Sequence, residues 1–307
     1  MGEPTTGAHL AIVGPTATGK SELAMALARA LGDVEIVSVD SMQVYRGMDI
    51  GTSKPTRAEQ SEVAHHLIDL AEPTEDFSVR RYQEAFGPVL AGIEDRGHRA
   101  VLVGGTGLYL RAVVDHLGLP GQWPEVRAEL EAEADRLGVE ALHRRLASLD
   151  PVAASRMLAS NRRRVVRALE VCLGSGRPFS SFGPGLTEYP PSRFRLFGLT
   201  LPRPTVAGRI DARIDAQLAG GLLDEVGRLA ELSLSRTARQ ALGYRELLDH
   251  LEGRHSLAEA LERFRRRTRA FARRQESWFR RDPRIRWLDG EDNSLACLDA
   301  LLGDLAA

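Results

Sequence analysis

Gly14-Pro15-Thr16-Ala17-Thr18-Gly19-Lys20-Ser21 is the segment that decides the expected fold of this chain. It follows an apolar run, Leu10 to Val13, of the kind that forms a buried parallel strand. It precedes the segment Ser21 to Leu31, in which leucines recur at helical spacing and which ends at Gly32. A G-x-x-x-x-G-K-S/T motif between a strand and a helix is typical of a phosphate-binding loop, or P-loop.

Further strand and helix patterns predict that the P-loop belongs to an α/β fold. Three more short apolar runs predict strands at 35–39, 101–103 and 196–201. They alternate with helical patterns, which is typical of a doubly wound parallel sheet. The later part of the chain is predicted to form long helices at 204–218, 222–232 and 257–281.

The middle of the chain departs from this alternation. From about residue 111 to residue 190 no strand pattern occurs. Helices are predicted at 124–137, 139–149 and 151–173. We therefore predict a P-loop core domain formed by residues 1–110 and 191–307, with an all-helical domain inserted at 111–190 and basic helices towards the C-terminus.

The composition is that of an ordinary globular protein, with 307 residues, 43% hydrophobic residues, 27% charged residues and a net charge of −1. No run approaches ~20 apolar residues, and residues 1–9 lack the basic start and apolar run of a signal peptide, so neither a membrane span nor secretion is expected. Two cysteines, Cys172 and Cys297, are too few for a disulfide framework or a zinc site. We expect a cytoplasmic monomer.

Positive charge is concentrated in two arginine runs. Eleven arginines lie between residues 263 and 286 against Glu276 and Asp282, a local net charge of +9. Four more lie in Arg162-Arg163-Arg164-Val165-Val166-Arg167. A solvated helix face explains a single run as well as a ligand does, but two runs on an otherwise acidic chain favour a polyanionic partner.

The chemistry of the P-loop explains its residue types. Its glycines let backbone N–H groups point at phosphate oxygens, and the helix N-terminus adds roughly half a positive charge. Lys20 supplies a point charge for the terminal phosphates, and Ser21 supplies a hydroxyl for Mg²⁺. Only Lys20 and Lys54 are lysines among the 41 basic residues, and both lie in phosphate-site candidates. A kinase or a nucleotide hydrolase is the default function of such a loop, although an Asn-Lys-x-Asp guanine motif is impossible here.

Asp40 closes the second predicted strand and begins a polar stretch that reaches Pro55. A carboxylate at the carboxyl end of a parallel strand faces the crevice in which α/β proteins bind ligands. Asp40 could cap a helix, hold Mg²⁺ through water, or act as a general base beside a diphosphate. Gln43 both donates and accepts hydrogen bonds, which suits an adenine edge.

Taken together, these segments resemble the tRNA dimethylallyltransferases, also called tRNA isopentenyltransferases or IPP transferases. The similar segments, in family order, are 14–21, 40–55, 65–69, 103–110, 164–171, 240–247 and 268–281. They extend from about residue 10 to residue 290. One departure is Arg273, where the family would have lysine, and it agrees with the preference of this chain for arginine.

The resemblance implies that a dimethylallyl group passes from dimethylallyl diphosphate to N6 of an adenosine at position 37 of tRNA, beside the anticodon, giving N6-isopentenyladenosine and diphosphate. It implies that the diphosphate is bound by Gly14, Pro15, Thr16, Ala17, Thr18, Gly19, Lys20 and Ser21, with Mg²⁺ on Ser21. It implies that Asp40 is the base and that Thr16 and Arg213 stabilise the leaving group.

The resemblance also implies the tRNA anticodon stem-loop as partner, with the target adenosine turned outward to react. The implied tRNA contacts are Asp40, Ser41, Met42, Gln43, Thr106, Arg127, Arg163, Arg164, Val165, Val166, Arg167, Arg273, Arg274 and Gln275. His65 and His66 are expected to be structural.

Three alternative functions remain open. An isopentenyltransferase acting on free adenine nucleotides would not need the arginine runs or the helical insertion. A P-loop small-molecule kinase would need an arginine-bearing lid over ATP, and none can be placed. A non-catalytic RNA-binding module would have no use for Lys20 or Asp40.

Overall fold

The computed structural model describes residues 9–183, 185–290 and 293–306. The chain divides into two compact units, one formed by Met1–Val114 with Pro191–Ala307 and the other by Asp115–Pro190. We call them the sheet unit and the helical unit.

The sheet unit contains a parallel sheet with the strand order β3-β2-β4-β1-β5-β6. Its strands are β1 (His9–Val13), β2 (Val34–Val39), β3 (His65–His66), β4 (Arg99–Gly104), β5 (Phe194–Thr200) and β6 (Arg286–Asp289). The predicted parallel α/β sheet is thus confirmed. The two-residue β3 and the edge strand β6 had no clear sequence pattern and were not predicted.

Helices precede and follow these strands. Those of the sheet unit are α1 (Lys20–Leu31), α2 (Arg57–Glu62), α3 (Val79–Asp95), α4 (Gly107–Val114), α9 (Arg203–Ala219), α10 (Leu222–Ala230), α11 (Arg236–Arg239), α12 (Tyr244–Leu251), α13 (Leu257–Phe279) and α14 (Leu298–Ala306). Those of the helical unit are α5 (Pro124–Leu137), α6 (Val139–Leu149), α7 (Pro151–Ser155) and α8 (Arg162–Ser175). In the described part of the chain, no helix is both long and apolar enough to cross a membrane.

The strands are buried on both faces, which explains their uninterrupted apolar sequences. In β1, Leu10 and Ile12 belong to one apolar cluster, and Ala11 and Val13 belong to another. Helices α1 and α14 contribute to the first cluster, and α3, α4, α9, α10, α12 and α13 contribute to the second. Helices therefore cover both faces of the sheet.

Strands β1, β2 and β4 end level with one another, because Val13 and Val39 are both register partners of Gly104. The turns that follow them, which are the P-loop, the stretch from Asp40 and the turn from Gly105, therefore begin side by side. This edge of the sheet is where α/β proteins bind ligands.

One predicted helix of the helical unit is wrong. The segment predicted as a single helix at 151–173 forms α7 and α8, with a turn between them. The reason is a second start signal, because the side chain of Asn161 accepts a hydrogen bond from the Arg164 N–H at 3.3 Å and begins a new helix.

Buried groups hold the helical unit together. Val165 and Val166, two of the predicted tRNA contacts, are fully buried in its apolar core, so their side chains are not available to a ligand in this structure. The buried Glu170 carboxylate accepts from the Trp123 N–H at 2.9 Å and pairs with Arg127 at 3.1 Å and Arg167 at 2.9 Å. Arg127 and Arg167 are therefore engaged inside this unit.

Candidate active site

The P-loop has the conformation that its glycines allow. Gly14 has a φ of +141°, and a Cβ atom there would lie 2.5 Å from the carbonyl oxygen of Leu199. Gly19 has a φ of +88°, and a Cβ atom there would lie 2.2 Å from the hydroxyl of Ser294. Other residues would be strained at both positions. The turn therefore depends on these glycines.

Lys20 folds back over the P-loop. Its Nζ donates to the carbonyl oxygen of Pro15 at 2.5 Å, and the Thr18 hydroxyl donates to the same oxygen at 2.9 Å. Burial, reinforced by the positive charge of Arg213, lowers the pKa of Lys20 to about 7. No carboxylate in the described part of the chain forms an ion pair with it. An anion in the loop would stabilise the charged form of this lysine.

Arg213 of α9 lines the same pocket as Lys20. Its Nε is buried and has no hydrogen-bond partner among the described residues. Burial lowers the pKa of the Arg213 guanidinium, although the carboxylate of Asp40 opposes the shift. A buried N–H group without a partner costs about 1–3 kcal/mol. Because an anionic ligand would remove this cost, the geometry supports the predicted contact with a leaving group.

Asp40 lies at the end of β2 and lines the same pocket. Its Oδ1 accepts a hydrogen bond from the Met42 N–H at 2.8 Å. Burial raises the pKa of Asp40, in spite of this hydrogen bond and the positive charges of Lys20 and Arg213. A carboxyl whose pKa is raised toward the working pH is suited to general-base catalysis.

Thr106 joins the turn after β4 to the turn after β2. Its N–H donates to the Val39 carbonyl at 3.2 Å, and its hydroxyl oxygen accepts from the Ser41 N–H at 3.1 Å. These contacts fix the main chain next to Asp40. The predicted tRNA contacts Ser41 and Thr106 therefore bind each other in this structure, and Met42 is half-buried beside them.

Gln43 also lines the pocket, and its carboxamide is held in one orientation. Its Nε2 donates to the carbonyl oxygens of Thr52 at 3.2 Å and Ser53 at 3.1 Å, while its Oε1 accepts from the Ser38 hydroxyl at 2.7 Å. Both N–H groups are thus used, and only a lone pair on Oε1 remains for a ligand. Gln43 can accept from an adenine amino group but has no N–H to offer it.

A buried carboxylate that sequence reasoning missed positions the loop around Gln43. Glu225 of α10 accepts from the N–H groups of residues 49–51 at 2.9–3.2 Å and from the hydroxyl of Tyr244 at 2.6 Å. Gln217 adds a hydrogen bond to the carbonyl oxygen of Ile50 at 2.7 Å. The similar segment at 240–247 contains Tyr244, but no local pattern pairs it with Glu225.

Lys54 does not offer its charge to a ligand. Its Nζ donates to the carbonyl oxygen of Tyr45 at 2.7 Å and pairs with Asp49 at 2.5 Å and Asp69 at 2.6 Å. Its side chain is only 3% exposed. Because an ammonium has three N–H donors, all of them are used. Lys54 lines the pocket wall, but its role is structural, which corrects its interpretation as a phosphate-site lysine.

Gln275 contacts the P-loop. Its Oε1 accepts from the Thr16 N–H at 2.8 Å, and its Nε2 donates to the carbonyl oxygen of Gly105 at 2.9 Å. It is buried, whereas its neighbours Arg273 and Arg274 on α13 are exposed. Of these three predicted tRNA contacts, the structure therefore places the two arginines on the surface and the glutamine inside the site.

The P-loop and the segments around it line a pocket of about 380 Å³. Its lining includes the P-loop residues Thr16, Ala17, Gly19, Lys20 and Ser21 together with Asp40, Gln43, Arg213 and Gln275. The described structure thus brings five of the eight predicted phosphate-site residues into one pocket with the predicted base, whereas Gly14, Pro15 and Thr18 are not part of its lining.

The arginine run on and after α13 is partly neutralised by four acidic residues that lie elsewhere in the sequence, and by Glu276 and Asp282 within the run. Ion pairs join Arg265 to Asp215, Arg267 to Glu246, Arg269 to Asp211, Arg280 to Glu276, Arg284 to Asp282 and Arg286 to Asp304. The arginines without an ion pair in the described residues are Arg263, Arg266, Arg273, Arg274 and Arg281. The local charge of +9 therefore overstates the positive charge that this surface offers to a ligand.

The second arginine run, at residues 162–167, also contains both ion-paired and unpaired arginines. Arg162 pairs with Glu131 at 2.7 Å and with Asp135 at 2.5 Å. Arg163 and Arg164 are exposed and form no ion pair within the described part of the helical unit. These two arginines are the ones free to bind a polyanion.

Comparison with known proteins identifies the family. A model of the IPP transferase family matches residues 43–282. The tRNA dimethylallyltransferase of Kineococcus radiotolerans is 48% identical over 301 residues, covering 96% of this chain and 94% of that protein.

Two solved structures are similar as well. The tRNA isopentenylpyrophosphate transferase of Bacillus halodurans has a TM-score of 0.70 at 39% identity, covering 97% of each chain. A eukaryotic dimethylallyltransferase acting on tRNA has a TM-score of 0.79 at 25% identity, covering 97% of this chain and 77% of that one. This chain belongs to the IPP transferase family.

Proposed function

We propose that this chain is a tRNA dimethylallyltransferase, which transfers a dimethylallyl group from dimethylallyl diphosphate to N6 of adenosine 37 in tRNA. The observation that carries the proposal is that one pocket holds both positively charged side chains and a carboxyl group. Two cations that form no ion pair with any described residue, Lys20 and Arg213, lie beside a carboxyl with a raised pKa, Asp40. The cations suit a leaving diphosphate, and the carboxylate suits an acceptor that must lose a proton.

The proposed reaction is a single displacement. The N6 atom attacks C1 of the dimethylallyl group, and the N6–C1 bond forms as the C1–O bond breaks and its electron pair leaves with the diphosphate. Since the N6 lone pair is delocalised into the adenine ring, the amine must lose a proton as it reacts, and Asp40 accepts that proton. The Oε1 lone pair of Gln43 accepts from the other N6–H and orients the amine.

The departing charge is stabilised by Lys20, Arg213 and the N–H groups of the P-loop. Thr16 contributes through its hydroxyl, because its N–H is taken by Gln275. These groups are fixed before substrate binds, so little reorganisation is needed during the reaction.

We propose Mg²⁺ as cofactor, with the Ser21 hydroxyl as its protein ligand. Ser21 lines the pocket together with the carboxylates of Glu22 and Asp40, and such oxygen donors are those that Mg²⁺ prefers. In the described residues no cluster of three His, Cys, Asp or Glu side chains could hold a metal ion. Substrate oxygens would therefore complete the coordination, and the ion would neutralise charge on the diphosphate.

The proposed partner is the anticodon stem-loop of tRNA, and exposed arginines of both runs are the candidates for binding its backbone. We expect the protein to act as a monomer. Its two free cysteines are buried, as fits a reducing compartment, and we place the reaction in the cytoplasm.

Neutralising the two free arginines of α8 tests the tRNA contact. The double variant Arg163→Ala/Arg164→Ala is expected to bind tRNA about tenfold more weakly and to lower the slope of log affinity against log salt by about 2. Filter binding at several salt concentrations measures both. The exposed pair Arg57→Ala/Arg80→Ala, outside both runs, is the control. Unchanged tRNA affinity in the α8 variant would contradict this assignment, and diphosphate binding should be unaffected.

The test of the reaction itself is a label-transfer assay. Protein, Mg²⁺ and labelled dimethylallyl diphosphate are offered unmodified tRNA, AMP or ATP. Label in tRNA supports the proposal. Label in AMP or ATP alone identifies an enzyme of free nucleotides, and no transfer to any acceptor rejects prenyl transfer and leaves the kinase to be tested.

A further inference from the structure

The contact between Gln275 and the P-loop changes what the loop can bind. In a P-loop, backbone N–H groups surround the phosphates, and the lysine reaches the outermost ones. Here the N–H of Thr16, near the start of the loop, donates at 2.8 Å to the side-chain oxygen of Gln275. A phosphate oxygen accepting from the same N–H would have to occupy the position of this Oε1 atom.

Gln275 is firmly seated. It is 7% exposed, and its Nε2 donates to the carbonyl oxygen of Gly105 at 2.9 Å. A Cβ atom on Gly105 would lie only 2.1 Å from this nitrogen, so the glycine is what admits the carboxamide. Helix α13 is itself anchored in the core through Ala272 and Phe279. The side-chain oxygen therefore cannot give way without breaking both hydrogen bonds.

Four later residues of the loop are open to the pocket. Ala17, Gly19, Lys20 and Ser21 line the pocket beside Arg213. These residues lie toward α1, where the first two phosphates of a ligand would be bound. At the start of the loop, where a third phosphate would extend, the N–H of Thr16 is already taken by a neutral amide.

We propose that Gln275 sets the specificity of the P-loop, restricting it to diphosphates and rejecting triphosphates such as ATP. This inference rests on the proposed function and deepens it, because it explains how a loop typical of nucleotide-binding proteins selects an allylic diphosphate. Gln275 acts on Thr16 and is a positioning residue.

The test compares inorganic diphosphate with inorganic triphosphate by direct calorimetric titration of the full chain with Mg²⁺. The wild-type protein is expected to bind diphosphate at least about tenfold more tightly. In Gln275→Ala, triphosphate binding should improve about tenfold, because the Thr16 N–H is released, while diphosphate binding changes by less than about threefold. Gln240→Ala, at an exposed glutamine outside the pocket, is the matched control and should leave the ratio unchanged.

An unchanged ratio in Gln275→Ala, or a wild-type protein that does not discriminate, would overturn the inference. If Gln275→Ala does not fold, Gln275→Glu provides the second test. It keeps an acceptor for Thr16 and places a negative charge where the third phosphate would lie, so triphosphate should lose more affinity than diphosphate, and equal losses overturn the inference. Because binding is measured without tRNA, this result is independent of the label-transfer assay that tests the reaction.

Discussion

Asp40→Asn is expected to lower kcat for prenyl transfer about a thousandfold, because the general base is lost. The amide keeps the size of the carboxyl and an oxygen that can accept from the Met42 N–H, so the turn after β2 should persist. Diphosphate affinity should change little. Single-turnover transfer to tRNA and diphosphate titration measure the two effects.

The exposed Asp95→Asn is the matched control and should retain wild-type kcat. A kcat of Asp40→Asn within about threefold of the wild type would show that another group takes the N6 proton.

The pH profile follows from the same site. Asp40 must be ionised, and since burial raises its pKa, activity should fall on the acid side at a pH above the ordinary carboxyl value of about 4. Lys20 must be charged, and its pKa of about 7 places the alkaline limb of kcat/KM near neutrality. In kcat this limb should move to higher pH, because bound diphosphate stabilises the ammonium. Because the titrations of Asp40 and Lys20 are coupled, the two apparent pKa values of the profile describe the pair and not either residue alone.

Lys20→Met is expected to reduce kcat/KM for dimethylallyl diphosphate about a thousandfold, because a preorganised charge on the leaving group is removed. Its melting temperature should not fall, since the variant removes a buried ammonium that pairs with no carboxylate among the described residues. Lys54→Met should show the opposite pattern. Its ion pairs with Asp49 and Asp69 would be broken, and the melting temperature should drop by several degrees.

The two lysine variants are each other's controls. If Lys20→Met and Lys54→Met changed kcat/KM and the melting temperature by equal amounts, the assignment of Lys20 to catalysis and Lys54 to structure would be wrong. Melting curves and initial rates at varied diphosphate concentration measure the two quantities.

The sequence predicted what depends on neighbours in the chain. The P-loop, its strand and its helix were predicted from glycine spacing and apolar periodicity. The position of Asp40 in the ligand crevice was predicted because this residue follows the end of β2. The groups that complete the site come from distant segments. Gln275 reaches Thr16 across 259 positions, and Glu225 reaches Gly51 across 174. No local pattern encodes such pairs, because only the folded sheet brings them together.

The number of arginines in a run did not predict the charge of its surface, for the same reason. The run on α13 appeared strongly positive because its neutralising carboxylates, such as Asp211 and Asp215 on α9 and Glu246 on α12, lie far away in the sequence. Gln43 was predicted to bind an adenine edge, and it does line the pocket, but the loss of its two N–H groups to Thr52 and Ser53 depends on how the following loop folds back.

The buried ammonium of Lys20 has a consequence for the heat of ligand capture. With a pKa of about 7, this group is largely neutral in the free protein at pH 8 and charged at pH 6. An arriving diphosphate favours the charged form, so at pH 8 the amine must take a proton from the buffer. Calorimetric heats at pH 8 will therefore differ between Tris and HEPES according to their ionisation enthalpies, whereas at pH 6 the contribution of Lys20 to proton exchange should be small.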